Sequence, residues 1–265
     1  FVLAEQWGNV TSRKADDMRA QHRALDHGGR RPIAIVTDSA ADLSDAILDR
    51  YQIALVPLQM TFGDTTYQGR IGLRPAEFYR MLRSATELPQ TSQPAPAEFL
   101  KAFRSAGAQA DEVVAVLLSS GLSGTFQAAQ AAVGAGNLDR VHLCDSRSAS
   151  LGLGMLALRA AELAESGWKA QAIVTEVDRV RRQSGLFLTI DRYENLLRSG
   201  RVSRGKAWLA ETLDVKPILG LDDEGRVLPI DRVRGRESLV ARVLKLVDRA
   251  LTPRPRSVRF GISHA

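Results

Sequence analysis

The sequence predicts an α/β fold in two domains: a first domain with a parallel sheet and helices on both faces, and a second α/β domain that stops before it is complete. Three observations carry this. Apolar runs at 33–38, 113–118 and 141–145 each end at Asp or Ser and pass into a helical pattern, the alternation that builds parallel sheets. A long apolar helix over Ser150–Glu165 follows the third run. From about Gln171 the chain becomes more charged, and Val215–Leu221 and Val227–Val233 flank Asp222-Asp223-Glu224-Gly225-Arg226, a strong hairpin signal.

In chain order, residues 1–30 read as a helical tail or linker, a polar pattern from Ala15 to Leu25 that ends at Gly28-Gly29. The first domain takes residues 31–170. Its first strand, Ile33–Asp38, breaks at Ser39, and Ser44 is placed to cap a helix whose Ala46, Ile47, Leu48 and Tyr51 fall at helical spacing. A strand over Ile53–Phe62 contains Pro57, which cannot donate to a ladder, so it belongs at an edge or a bulge. Helices follow at Pro75–Arg83 and Pro96–Phe103, then the strand from Val113, a helix from Thr125 to Val133, the strand Val141–Asp145 and the helix from Ser150. The second domain, 171–265, reads as a charged helix at 171–183, a strand Leu186–Ile190, helices at 193–199 and 205–213, the hairpin, a helix at about 237–251 and a strand beginning at Val258. Phe1 in place of an initiating methionine marks the sequence as a piece of a longer or processed chain.

With 265 residues, 45% hydrophobic and 25% charged, the composition is globular. No apolar run reaches the roughly 20 residues that span a bilayer, no secretory core opens the chain, and the lone Cys144 cannot form an internal disulfide, which places the protein in a reducing cytoplasm. The formal charge is +6, and residues 171–265 hold 19 basic against 12 acidic side chains. Those cations alternate with acids and have few aromatics between them, unlike a nucleic-acid surface; they suit an acidic protein partner.

The functional signal lies in two hydroxyl-rich turns, Thr91-Ser92-Gln93-Pro94 and Ser119-Ser120-Gly121-Leu122-Ser123-Gly124-Thr125, each leading into a helix. Unpaired N–H groups and the positive dipole end at a helix start favour a carboxylate or phosphate, and glycines admit it closely. Capping alone accounts for any one of these hydroxyls. Two turns with more hydroxyls than capping requires read as halves of one anion site at the carboxyl ends of strands, where Asp38-Ser39 and Asp145-Ser146 also fall.

Other motifs fail on context. Gly200–Ala207 approaches a phosphate-binding loop but ends in Ala207 where Ser or Thr would hold the metal, and it follows a helix. Gly152-Leu153-Gly154 lies inside a helix, where small residues serve close packing. Gly121-Leu122-Ser123-Gly124-Thr125 departs from a hydrolase elbow at its last position, and His22, His27, His142 and His264 offer no evident base. No metal-ligand spacing stands out. The residues favour binding without catalysis, with no cofactor and no metal; the alternative is a serine-dependent hydrolase or transferase acting on an acyl or phosphorylated substrate through Ser123.

Seven motifs in order, Thr37-Asp38-Ser39-Ala40-Ala41-Asp42-Leu43, Val56-Pro57-Leu58, Thr91-Ser92-Gln93-Pro94, Ser119–Thr125, Asp145-Ser146, Ser199-Gly200-Arg201-Val202-Ser203 and Arg232-Val233-Arg234, resemble the DegV family of bacterial fatty-acid-binding proteins. The resemblance runs from about Ile33 to His264. It implies a two-domain fold that encloses a long-chain fatty acid and presents its carboxylate to a fatty acid kinase, whose acyl-phosphate product feeds phospholipid synthesis. Thr91 and Ser123 match the carboxylate-binding hydroxyls, with Ser92, Ser119, Ser120 and Ser39 as neighbours, and Arg201 and Arg234 match basic positions turned towards the kinase. Members of the family continue beyond a segment like Gly261–Ala265 and supply a late histidine, which His264 is not. The leading segment, Leu3–Gly8 through His22, resembles the junction that follows a fused kinase-like domain, so the kinase is expected either separately or in cis. The same picture leaves room for transient contact with a membrane surface.

Overall fold

The computed structural model describes residues 30–73, 75–85, 87–190, 193–202 and 215–264. The expected helices at 15–25 and 205–213 lie outside them. β1 (Arg31–Asp38) runs into a short 3-10 turn at Ser39–Ala41, followed by α1 (Asp45–Tyr51), whose N-terminus is capped by Ser44 Oγ accepting the Ile47 N–H at 3.3 Å. β2 (Ala54–Val56), β3 (Gln59–Phe62) and β4 (Thr65–Gln68) come next, then α2 (Pro75–Ser84), β5 (Gln90–Ser92), α3 (Pro96–Gln109), β6 (Ala110–Leu117), α4 (Thr125–Gly136), β7 (Val141–Asp145), α5 (Ser150–Glu165) and α6 (Ala170–Arg182). The remainder holds β8 (Leu188–Thr189), α7 (Tyr193–Arg198), β9 (Val215–Leu221), β10 (Val227–Arg234) and α8 (Arg236–Ala250).

Side-chain alternation along the central strands explains the layers. β2, β1, β6 and β7 form a parallel sheet in that order. Ile33 and Ile35 of β1, with Val114 and Val116 of β6, point to one face, where Leu153, Leu156, Ala157 and Ala160 of α5 and Ile173 and Val177 of α6 cover them. The intervening Ala34, Val36, Val113, Ala115 and Leu117 point to the other face, against Phe99, Phe103 and Ala106 of α3 and Ala128, Ala129 and Ala132 of α4. Strands buried on both faces read as continuous apolar runs, which is why these were plain in the sequence. α6 stands within the expected second domain, yet its buried residues complete the first core.

Four local expectations are corrected. Pro57-Leu58 divides the single strand expected over Ile53–Phe62: β2 ends the parallel sheet, whereas β3 centres a separate antiparallel sheet, β4-β3-β5. Thr91 and Ser92 are not in a turn; they form β5, opposite Met60 and Gln59. The strand expected over Leu186–Ile190 shrinks to β8, which extends the β9–β10 hairpin. Val258–His264 form no strand; the segment is exposed and has no ladder among the described residues. The glycines of α5 act as expected: a Cβ on Gly154 would lie 2.2 Å from the Ala41 carbonyl, so the helix reaches the 39–41 turn only without a side chain there.

Candidate ligand-binding site

In the strand order β2-β1-β6-β7, the chain leaves β1 towards β2 on one side and leaves β6 towards β7 on the other, so the crevice outside the carboxyl ends of β1 and β6 is a topological switch point, the place where open α/β sheets receive ligands. Asp38 closes β1 there. It is fully buried, and its carboxylate accepts N–H bonds from Leu118 at 2.7 Å and Ala40 at 3.0 Å. Burial pushes Asp38 up to about 6 against the lowering effect of those bonds. Beside it, Thr37 Oγ1 donates to the Val116 carbonyl at 2.8 Å, so both residues tie β1 to the start of the turn that follows β6.

That turn is braced from within. Leu122 N–H and Ser123 N–H donate to the Ser119 carbonyl at 3.0 and 3.2 Å, and Ser119 N–H reaches the Ser148 carbonyl at 3.0 Å. Ser119 is fully buried; its hydroxyl accepts the Gly121 N–H at 3.1 Å and donates to the Gly225 carbonyl at 2.9 Å, which holds the tip of the β9–β10 hairpin over the crevice. Ser120 Oγ donates to Asp145 Oδ2 at 2.5 Å, and Asp145 also takes the Ser120 N–H at 3.2 Å, the Arg147 N–H at 3.0 Å and the Arg147 guanidinium at 2.9 Å. Ser123 is half-buried, 2.8 Å from Thr125 Oγ1 and accepting the Thr125 N–H at 3.3 Å, directly before α4 begins. Among the serines of the turn, Ser123 is the one whose hydroxyl bonds only to another hydroxyl and to the first N–H of the helix.

The first hydroxyl segment lies alongside. A Cβ placed on Gly124 would fall 2.0 Å from Gln93 Oε1, so Gln93 lies on the turn and Thr91-Ser92 stand just upstream. Thr91 and Ser92 are exposed on β5. Ser39 Oγ accepts the Leu58 N–H at 2.9 Å and anchors the crossing from β2 to β3. Leu122 supplies an apolar wall, since it packs against both the first core and the cluster of Val202, Leu219 and Val227 beneath the hairpin. The structure therefore brings Ser39, Ser119, Ser120 and Ser123 to one crevice, with Thr91 and Ser92 at its side. Arg201 and Arg234 stand elsewhere: Arg201 is exposed and donates to the Ser199 carbonyl at 2.7 Å, and Arg234 ends β10, exposed.

Sequence reasoning placed Gln93 in a motif without a role of its own, and it missed Arg147 and the Gly225 carbonyl. Arg147 has a signal in hindsight, as the cation two residues after Asp145, whereas the approach of Gly225 joins residues 106 positions apart and has none. His142 bonds to Glu112 at 2.9 Å on the neighbouring strand, remote from the crevice, and burial pushes the Cys144 thiol up to about 12, which leaves it inert. No group that could hold a metal ion occurs among the described residues.

Comparison with known proteins decides the family. Residues 32–265 match the family described as "Uncharacterised protein, DegV family". The chain belongs to the DegV family. Protein DegV of Bacillus subtilis is 35% identical over 218 residues, 82% of this chain and 77% of that protein. Among solved structures, a DegV family protein from Thermus thermophilus, described by its fatty acid binding, superposes with a TM-score of 0.76 at 35% identity, over 83% of this chain and 78% of that one. The crystal structure of DegV from Bacillus subtilis, a fatty acid binding protein, gives 0.75 at 33% identity, over 84% and 79%. Among the described residues of this DegV domain, no helix is long and apolar enough to cross a membrane.

Proposed function

We propose that this DegV domain binds a long-chain fatty acid, with the carboxylate held at the crevice by Ser123 and Thr91 and neighbouring groups from Ser92, Ser119, Ser120 and Ser39. The observation that carries the reading is the meeting of the two hydroxyl segments, Gln93 against Gly124, at the switch point of the sheet. The fatty acid binding of the relatives from Thermus thermophilus and Bacillus subtilis supports it. Ser119, Ser120 and Ser39 act by shaping the turn, since their hydroxyls already bond to Gly225, Asp145 and Leu58. Tail burial provides most of the affinity, at about 0.8 kcal/mol per methylene, and the hydroxyls fix orientation at roughly 1.5–3 kcal/mol for each charge-assisted bond. The domain acts as a carrier without chemistry of its own. It presents the carboxylate to a fatty acid kinase, separate or fused, for acyl-phosphate formation, with the exposed Arg201 and Arg234 towards that partner in the cytoplasm.

Mass spectrometry of an organic extract of the purified protein tests the carrier reading. Stoichiometric long-chain fatty acid supports it; an empty protein that also fails to take up added palmitate rejects it. Thr91→Ala with Ser123→Ala should weaken palmitate binding at least tenfold without unfolding the protein. Charge reversal at Arg201 and Arg234 should leave lipid binding intact and abolish phosphorylation by the kinase, and unaltered turnover removes the partner face.

A further inference from the structure

The crevice contains a charge for which carboxylate binding has no use. Asp38 has no exposed surface, and among the described residues no cation pairs with it. Its two N–H donors, Leu118 and Ala40, are backbone groups, and an ionised carboxylate at that depth is costly without a counter-charge. The charged side chains around the turn are committed to other partners, including Arg226 of the hairpin tip, which lies against Gly121 and pairs with Glu224 at 2.9 Å. Asp145 pairs with Arg147, Arg70 pairs with Asp45 and also donates to the Leu43 carbonyl, Asp42 accepts from Ser150, and Glu98 accepts the Ala95 N–H. On the elements packed against β1, Asp111 and Glu112 stand at the opposite end of β6, and the first charge on α5 is Arg159, about 13 Å along the helix from its start.

Leu118, which Asp38 holds, is the residue directly before Ser119. An anion at the 119–125 turn would lie close to the Asp38 carboxylate, because the N–H that Asp38 holds belongs to the residue before Ser119, and like charges repel most where one of them is shielded from solvent. We propose that Asp38 is a positioning residue of this site that takes up a proton when an anionic ligand binds: it fixes the start of the turn through Leu118, and as an anion it opposes the ligand. This rests on the carboxylate-binding reading above. Binding is then linked to pH with a definite sign. Affinity is highest where Asp38 is protonated, falls as pH rises through about 6, and levels off at the higher pH where Asp38 ionises beside a bound anion.

The test uses the full 265-residue chain and hexadecane-1-sulfonate, which stays ionised from about pH 5 to 8 and so reports only the protein's proton. Calorimetric titrations in two buffers of different ionisation enthalpy give affinity and proton uptake together. Wild type should lose about tenfold in affinity over that range, equivalent to one unit of coupling, and should take up a measurable fraction of a proton per ligand near pH 7. Asp38→Asn should bind with a flat profile and no uptake, and Asp38→Glu should restore the slope. If wild type binds the sulfonate with no pH dependence and no uptake, the proposal is overturned while the binding site stands. If Asp38→Asn does not fold, proton uptake by wild type decides alone, a value near zero rejecting the proposal. Failure of wild type to bind either the sulfonate or palmitate at any pH overturns the binding site and the proton uptake with it.

Discussion

The two hydroxyl segments are close in composition and opposite in construction. Ser119–Thr125 is built inward: Ser119 and Thr125 are fully buried, and the turn is tied to β1 through Asp38, to the end of β7 through Asp145 and the loop after it through Ser148, and to the hairpin through Gly225. Thr91-Ser92 is built outward, on an exposed three-residue strand at the edge of a small sheet. The difference is that between a rigid half of the proposed site, whose polar groups are held by the fold, and an adjustable half, whose hydroxyls stay available. A carboxylate needs at least one donor that the protein has not already used, and in the proposed site the exposed segment and Ser123 are the groups that would supply it.

Substitutions separate the halves by size of effect. Gly225→Ala should be the most damaging: its Cβ would fall 2.0 Å from Ser119 Oγ and 2.8 Å from Arg147 Cα, at a φ of +71° that only glycine adopts freely. A loss of about 3 kcal/mol in denaturant unfolding is expected, and a loss under about 1 kcal/mol would mean that the hairpin tip is not seated on the turn. Asp38 should come next. Its acid is raised by burial, so its favourable contribution is complete below the unfolded value near 4 and is lost as pH rises through about 6. Relative to Asp38→Asn, wild type should therefore lose up to about 3 kcal/mol between pH 4 and 8. Glu176 and Asp178 carry the opposite sign: hydrogen bonds from Arg179 and Arg181 lower both, so their contribution appears above the unfolded value and is lost as the solution is acidified. A wild-type profile with no fall above pH 5 relative to the variant would contradict the buried acid.

Ser119→Ala removes a buried donor from the Gly225 carbonyl and should cost about 1–2 kcal/mol in thermal unfolding. The smallest change in stability belongs to Thr91→Ala, within about 0.5 kcal/mol because the residue is exposed, although palmitate affinity should drop. If Thr91→Ala destabilised as much as Ser119→Ala, the contrast between a rigid and an adjustable half would fail.

The sequence by itself determined the layers of the first domain, because strands buried on both faces show as apolar runs and their helices as 3.6-residue patterns. It also determined which turns carry hydroxyls and glycines, and the order of seven motifs that places the chain in the DegV family. Local signals could not divide Ile53–Phe62 between two sheets, make Thr91-Ser92 a strand, or leave Val258–His264 without a ladder among the described residues, because pairing partners lie far away in the chain and β structure exists only with its partner. The tertiary structure alone decided which hydroxyls are used up: Ser119, Ser120 and Ser123 look alike in sequence, and only the approach of Gly225 and Asp145 leaves Ser123 bonded to no more than a neighbouring hydroxyl and a helix N–H. It likewise turned Asp38 from one letter of a motif into a buried acid, since desolvation depends on everything packed around a group and not on the residues beside it in the chain.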